Sequence, residues 1–183
     1  MKKFILLAIS FLMASMLFAG PFGLEMGMTL EEIKEKCGRN NVNHCVYDEY
    51  IIKPPRPNSI FDCYRVAIDD TFGLYVIKAS TEVMSHKDCL FRLEHVSYVL
   101  KSYYGESQKI MRLKDTPCEY MTSESPDTIV CYVWSLPECK KLEKEKVSLL
   151  GVGVQEFDQD TGAVRIEYYS DDFDKVMESK TPF

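Results

Sequence analysis

The seven cysteines and three histidines are the residues of this chain best equipped for chemistry. No two of Cys37, Cys45, Cys63, Cys89, Cys118, Cys131 and Cys139 stand as C-x-x-C, so the chain carries neither a thioredoxin-like redox pair nor a zinc ribbon. His44 beside Cys45, with Cys37 near, and His86 three residues before Cys89 offer metal-ligand types at spacings that match no closed zinc site. No metal and no cofactor is expected. A cysteine nucleophile would need a histidine folded against it and a depressed pKa, which sequence neither gives nor forbids. G-x-S-x-G is absent. "GVGVQ", from Gly151, lacks the third glycine of a dinucleotide loop and sits in a strand pattern, where a bulge or close packing explains it. "DQDTG", from Asp158, has the start of a calcium loop without its distant bidentate glutamate, and reads as a turn. "ECKKLEKEK" balances its signs and reads as a solvated helical face.

What the cysteines do depends on compartment. "MKKFILLAISFLMASMLFAG" has a basic start, an apolar run from Phe4 to Phe18 and a small-residue end, the pattern of an export signal over residues 1–20. The run is too short to span a bilayer as a helix. Cleavage after Ala19 is expected, with an uncleaved anchor as the alternative. The expected location is periplasmic or secreted, where disulfides persist. Cys37–Cys45 and Cys118–Cys131 are attractive local pairs, and buried thiols are the other reading of the same residues. Without the leader, Lys+Arg falls from 22 to 20 against 28 Asp+Glu, so the net charge moves from −6 to −8. An acidic exported chain repels phosphate backbones, so nucleic acid is not an expected partner. No later run is apolar and long enough to cross a membrane.

The elements that would position any site follow from periodicity and caps. Thr29 and Glu32 form a T-x-x-E capping box and Gly38 stops the helix, which predicts a helix over 30–37. "HCVYDEYII" reads as one strand and "KPPRPN" as a loop. "FDCYRVAID" and "LYVIKAST" around "DTFG" read as a hairpin, with Tyr64, Val66 and Ile68 on one face. "DCLFRLEHVSYVLKSYYG" is the longest helix, its stripe Cys89, Leu93, Val96, Leu100 and Tyr103 widened by Leu90 and Val99. "CEYMT" and "TIVCYVWSL" flank the turn "SESPD", and Ser135 with Glu138 offers a second capping box. "VSLLGVGVQEFD" and "AVRIEYYS" form a last hairpin, and Asp171 and Asp172 open a terminal helix with Phe173, Val176 and Met177. The order helix, three strands, long helix, four strands, terminal helix predicts one α+β domain over 21–183. It is a mostly antiparallel sheet with the long helix and shorter helices on one face, and it hints at two related halves.

"FGLEMGMTLEEIKEKCG", from Phe22, resembles the G-M-[ST]-x-E-[EV] opening of small exported bacterial modules, the BamE/SmpA assembly lipoproteins and the β-lactamase-inhibitor-like proteins. Other stretches, "VLKSYYGES" among them, look like uncharacterised exported bacterial proteins. The resemblance implies a short capped helix packed on an antiparallel sheet, and a binding or scaffold role without catalytic residues. The chain lacks the lipid-attachment cysteine of the assembly lipoproteins.

Eleven tyrosines and one tryptophan are the remaining signal. Tyr64, Tyr75, Tyr132, Trp134 and Tyr168 fall on strands, where an open face would make them anchors for a protein partner. Filling a helix-covered core is the competing reading of the same residues. The expectation is a non-enzymatic binding or scaffold module holding an unidentified envelope or extracellular protein. A small exported enzyme with a Cys–His pair and a small-molecule carrier are the alternatives.

Overall fold

The computed structural model describes residues 20–111, 128–136, 139–157 and 160–180. The expectations placed on the export signal, "CEYMT", "SESPD" and Cys118 fall outside those residues.

Helix α1 (Leu30–Cys37) forms where the capping box puts it. The Glu32 carboxylate accepts from the Thr29 N–H at 2.8 Å, and the Thr29 hydroxyl accepts from the Glu32 N–H at 3.3 Å. The helix buries Ile33 and Cys37. Just before it, the glycine–methionine segment is stitched to the second hairpin: Gly27 donates to the Leu74 carbonyl and Leu74 donates to that of Met28, both at 2.8 Å. Gly73 cannot be anything else here. Its φ is +72°, and a Cβ would meet the Gly27 carbonyl oxygen at 2.3 Å.

Four strands follow: β1 (Val42–Val46), β2 (Glu49–Ile52), β3 (Cys63–Asp69) and β4 (Gly73–Ser80). "HCVYDEYII" is therefore a hairpin rather than one strand. The chain reverses at Tyr47 and Asp48, with Tyr47 itself at φ +50°. The two-residue β5 (Met84–Ser85) leads into α2 (His86–Tyr104), where the Ser85 hydroxyl accepts from the Asp88 N–H at 3.2 Å. Cys89, Leu93, Val96, Ser97 and Leu100 form its buried stripe. Tyr103, Leu90 and Val99 are exposed, which corrects the wider stripe expected of them.

The second half is β6 (Gln108–Met111), β7 (Thr128–Ser135), α3 (Lys140–Lys144), β8 (Val147–Glu156), β9 (Thr161–Ser170) and α4 (Phe173–Lys180). β6 is a strand that the sequence pattern does not predict. Ser135 ends β7, and its expected capping partner Glu138 lies outside the described residues; Cys139 precedes α3 without a side-chain cap.

The strands lie in the order β1-β2-β3-β4-β9-β8-β7-β6, every described pairing is antiparallel, and β5 adds to β9. A helix followed by a four-stranded meander thus occurs twice, and β4 against β9 joins the two into one α+β sheet. α2 carries the chain back to the far edge and packs on β8 and β9. Alternation assigns the faces. Leu74, Ile77, Val66, Leu150, Val152 and Ile166 point to the first face, where they meet Ile33 of α1, Leu93 of α2 and Leu142 of α3 in the main core. The Phe22 ring binds the halves there, edge-on to Tyr64 at 5.0 Å and to Tyr168 at 5.9 Å. The second face carries α4, through Val176 and Phe173 against Ala67, Tyr75, Val76 and Tyr169.

Candidate binding site on the second face of the sheet

Strand register lays out this second face in rows. The middle row runs Ile51, Arg65, Lys78, Glu167, Gly151, Val133, Gln108 from β2 to β6. One step along lie Cys63, Ser80, Arg165, Gly153 and Cys131. The step in the other direction is Glu49, Ala67, Val76, Tyr169 and Leu149, the row that α4 covers. A bulge makes Tyr75 an extra residue on β4 between Val76 and Leu74, so it joins Val76 on this face.

Ion pairs tie the middle rows together. Lys78 Nζ lies 2.7 Å from Glu49, whose other oxygen is 3.8 Å from Arg65. Arg165 Nε meets Glu167 at 2.8 Å, and Tyr169 donates its hydroxyl to the same carboxylate at 2.6 Å. The Gln155 side-chain amide oxygen accepts from Arg165 at 3.3 Å. Two grooves flank this strip and meet at Arg65 and Lys78. One, of about 330 Å³, lies along α4 between Tyr47, Asp48, Tyr75, Phe173 and Met177. The other, of about 200 Å³, lies toward Cys63, Ser80, Gln155, Phe157 and Arg165.

α4 is held over its row by its last turn. Lys180 donates to the Asp48 carboxylate and, at 3.1 Å, to the Tyr75 hydroxyl, which itself donates to Asp48. Burial pushes the Asp48 carboxyl up, but the bonds from Lys180 and Tyr75 outweigh it and hold it below its ordinary range. Burial and the Asp48 bond push the Tyr75 phenol the other way. A depressed carboxyl stabilises the fold above its unfolded pKa of about 3.9, and that contribution is lost as pH falls through the lower folded value. Asp48→Asn is thus expected to cost about 1 kcal/mol near neutrality, a partly exposed pair. The gap to the wild type should close in acid. Urea unfolding of both proteins across that range checks this, and a gap that does not change with pH would contradict the latch.

The five aromatics singled out in the sequence do not share this face. Tyr64, Trp134 and Tyr168 are buried in the helix-covered core, and Tyr132 is half-buried against it. The Tyr64 hydroxyl is spent on the Asn58 backbone, donating at 2.8 Å and accepting at 2.7 Å, and Trp134 Nε1 donates to the Gly105 carbonyl at 2.8 Å. Only Tyr75 of the five lies on the second face, beneath α4. The exposed-aromatic expectation is corrected: Tyr75 is itself buried under α4, and the other four sit in phase with Val66, Leu150 and Ile166, which α1 and α2 cover. The cations that line the grooves instead, Arg65, Lys78 and Arg165, stand at alternate positions of the same strands.

Cys37, Cys89, Cys131 and Cys139 are buried and behave as packing residues. No disulfide joins two described cysteines; Cys37 is buried and Cys45 exposed without a bridge between them. Burial pushes the thiols of Cys37 and Cys89 up, against the direction a nucleophile needs. At the end of α2 the Tyr104 hydroxyl donates to Glu145 at 2.8 Å, and burial raises that carboxyl despite Tyr104 and Lys141. This cluster fastens α2 to α3. Among the described residues no three His, Cys, Asp or Glu side chains converge as a metal site would require. No helix among them is long and apolar enough to cross a membrane.

The fold and face define a two-meander α+β sheet protein with one face packed under helices and the other grooved and ionic. Comparison with protein-family models, with curated proteins and with solved structures finds no match.

Proposed function

We propose that the protein is an exported, non-enzymatic module that holds a protein of the envelope or extracellular space on the second face of its sheet. The observation that carries this reading is the pair of grooves meeting at Arg65 and Lys78 on a sheet face that α4 covers only in part. A broad face with polar groups fixed by ion pairs suits recognition of a surface better than enclosure of a small substrate. The basic, apolar and small-residue order of the first 20 residues supports export. The glycine turn and capped α1 packed on an antiparallel sheet support the kinship implied by the opening motif.

The competing surface is the outer side of α2, where Phe91 and Tyr98 are 77% and 73% exposed. p-Benzoylphenylalanine placed at Ile51 or Gly151 of the second face, or at Tyr98, separates the two in intact envelopes. One dominant adduct is expected from the first two positions and none from the third. Adducts from Tyr98 alone, or none from the sheet positions, would sink the reading.

A further inference from the structure

The smaller groove has a charge count that points to what it takes. Three cations face it or its rim, Arg65, Lys78 and Arg165, and two acids answer them, Glu49 and Glu167. Lys78 and Glu49 satisfy each other at 2.7 Å, as do Arg165 and Glu167 at 2.8 Å. Arg65 is left over. Its contact with Glu49 is 3.8 Å, beyond hydrogen-bond reach, and its planar fork of N–H donors makes no hydrogen bond among the described residues. Arg65 also stands where the two grooves meet, so its head lies at the junction of both.

We propose that this groove is a socket for one carboxylate, the side chain of a glutamate or aspartate carried on an extended segment of the partner. The inference rests on the sheet-face reading above. One excess positive charge is neutralised by one carboxylate, and the Arg65 fork matches its two oxygens. A phosphate dianion would overshoot the charge and lie beside Glu49 and Glu167, which repel it. The volume, about 200 Å³, is below that of a pocket for a drug-sized ligand and suits a side chain. Ser80 and Gln155 supply neutral polar groups, and Phe157 gives an exposed apolar wall at the rim.

The neighbouring strip of β8 explains why the carboxylate arrives on a chain. Gly151 and Gly153 face Glu167 and Arg165 without side chains of their own. A Cβ built on Gly151 meets nothing within 4 Å, so a partner backbone can lie close there.

The test uses N-acetyl-glutamate N-methylamide as the probe and its glutamine analogue as the neutral isostere, read by the Nε–Hε resonances of Arg65 and Arg165 in the labelled protein. The glutamate compound is expected to bind saturably and roughly tenfold more tightly than the glutamine compound. Arg65→Met should abolish that preference. Arg65→Lys, which keeps the charge and loses the fork, should weaken it severalfold. Equal response to both compounds, no response to either, or a preference that survives Arg65→Met overturns the socket. Tighter binding of inorganic phosphate than of the glutamate compound also overturns it, in favour of a free-anion site. Crosslinks from Gly151 at wild-type yield in the Arg65→Met protein would leave the sheet-face reading standing while the socket falls. Loss of all sheet-face crosslinks in the wild type would remove both.

Discussion

Trp134→Ala is expected to cost about 4 kcal/mol of folding stability, a large share of the roughly 5–15 kcal/mol that holds a domain of this size together. Trp134 is the chain's single tryptophan and is 2% exposed. It points from β7 into the first-face core beside Leu150, its partner on β8. Its indole N–H reaches the carbonyl of Gly105, the residue that ends α2, and so pins the long helix to the second meander. The loss is mostly cavity and transfer energy. Gly105 is exposed, so water takes over its carbonyl once the indole is gone. Trp134→Phe, which keeps most of the packing, should therefore cost only about 1 to 2 kcal/mol. Guanidinium unfolding followed by far-UV circular dichroism suits both variants, since neither retains a tryptophan to fluoresce. Equal losses for the two would mean that the hydrogen bond, not the packing, does the holding.

Much of the fold can be read from the sequence because local signals and tertiary demand agree. Thr29 with Glu32 caps α1, Gly38 and Gly105 end α1 and α2, and apolar runs bounded by turn residues mark β3, β4, β8 and β9. The failures have physical causes. The β1–β2 hairpin turns at Tyr47 and Asp48 without the glycine that usually announces such a turn, Tyr47 taking positive φ itself. β6 is four residues long and shows no alternation. On α2, Leu90, Val99 and Tyr103 are as apolar as the true stripe, and only contact with β8 and β9 decides which side is buried.

The site is less legible than the fold for a related reason. Period two separates two faces of a strand, but it does not say which face a helix covers. Tyr64 and Tyr168 alternate with Arg65 and Glu167, so the aromatic face is the one the helices cover and the charged face is the other. The bulge at Tyr75 then shifts the phase in mid-strand. The ionic strip itself depends on the β4–β9 pairing, which brings together residues from the two halves of the chain. No local pattern in either strand reveals it.

Arg165→Met is expected to destabilise the protein by about 3 kcal/mol, because it leaves the Glu167 carboxylate buried without its closest cation. Glu167 is 5% exposed, and Arg165 Nε holds it at 2.8 Å. Two neighbours soften the loss: the Tyr169 hydroxyl still donates, and Lys78 faces Glu167 across the β4–β9 pair. That places the cost at the lower end for breaking a buried pair. Glu167→Gln should cost less, since the partly exposed Arg165 keeps Gln155 as an acceptor. The double variant Arg165→Met/Glu167→Gln should recover most of what Arg165→Met loses, because no buried charge is then left alone. Denaturant unfolding of the four proteins closes the cycle. Additive losses would mean that Arg165 stabilises through its stem and not through the pair. The double variant also separates two roles. It restores the fold while it removes a cation and an acid together from the strip. The excess charge at Arg65 stays in place, so carboxylate preference should persist in the recovered protein and vanish only when Arg65 itself is changed.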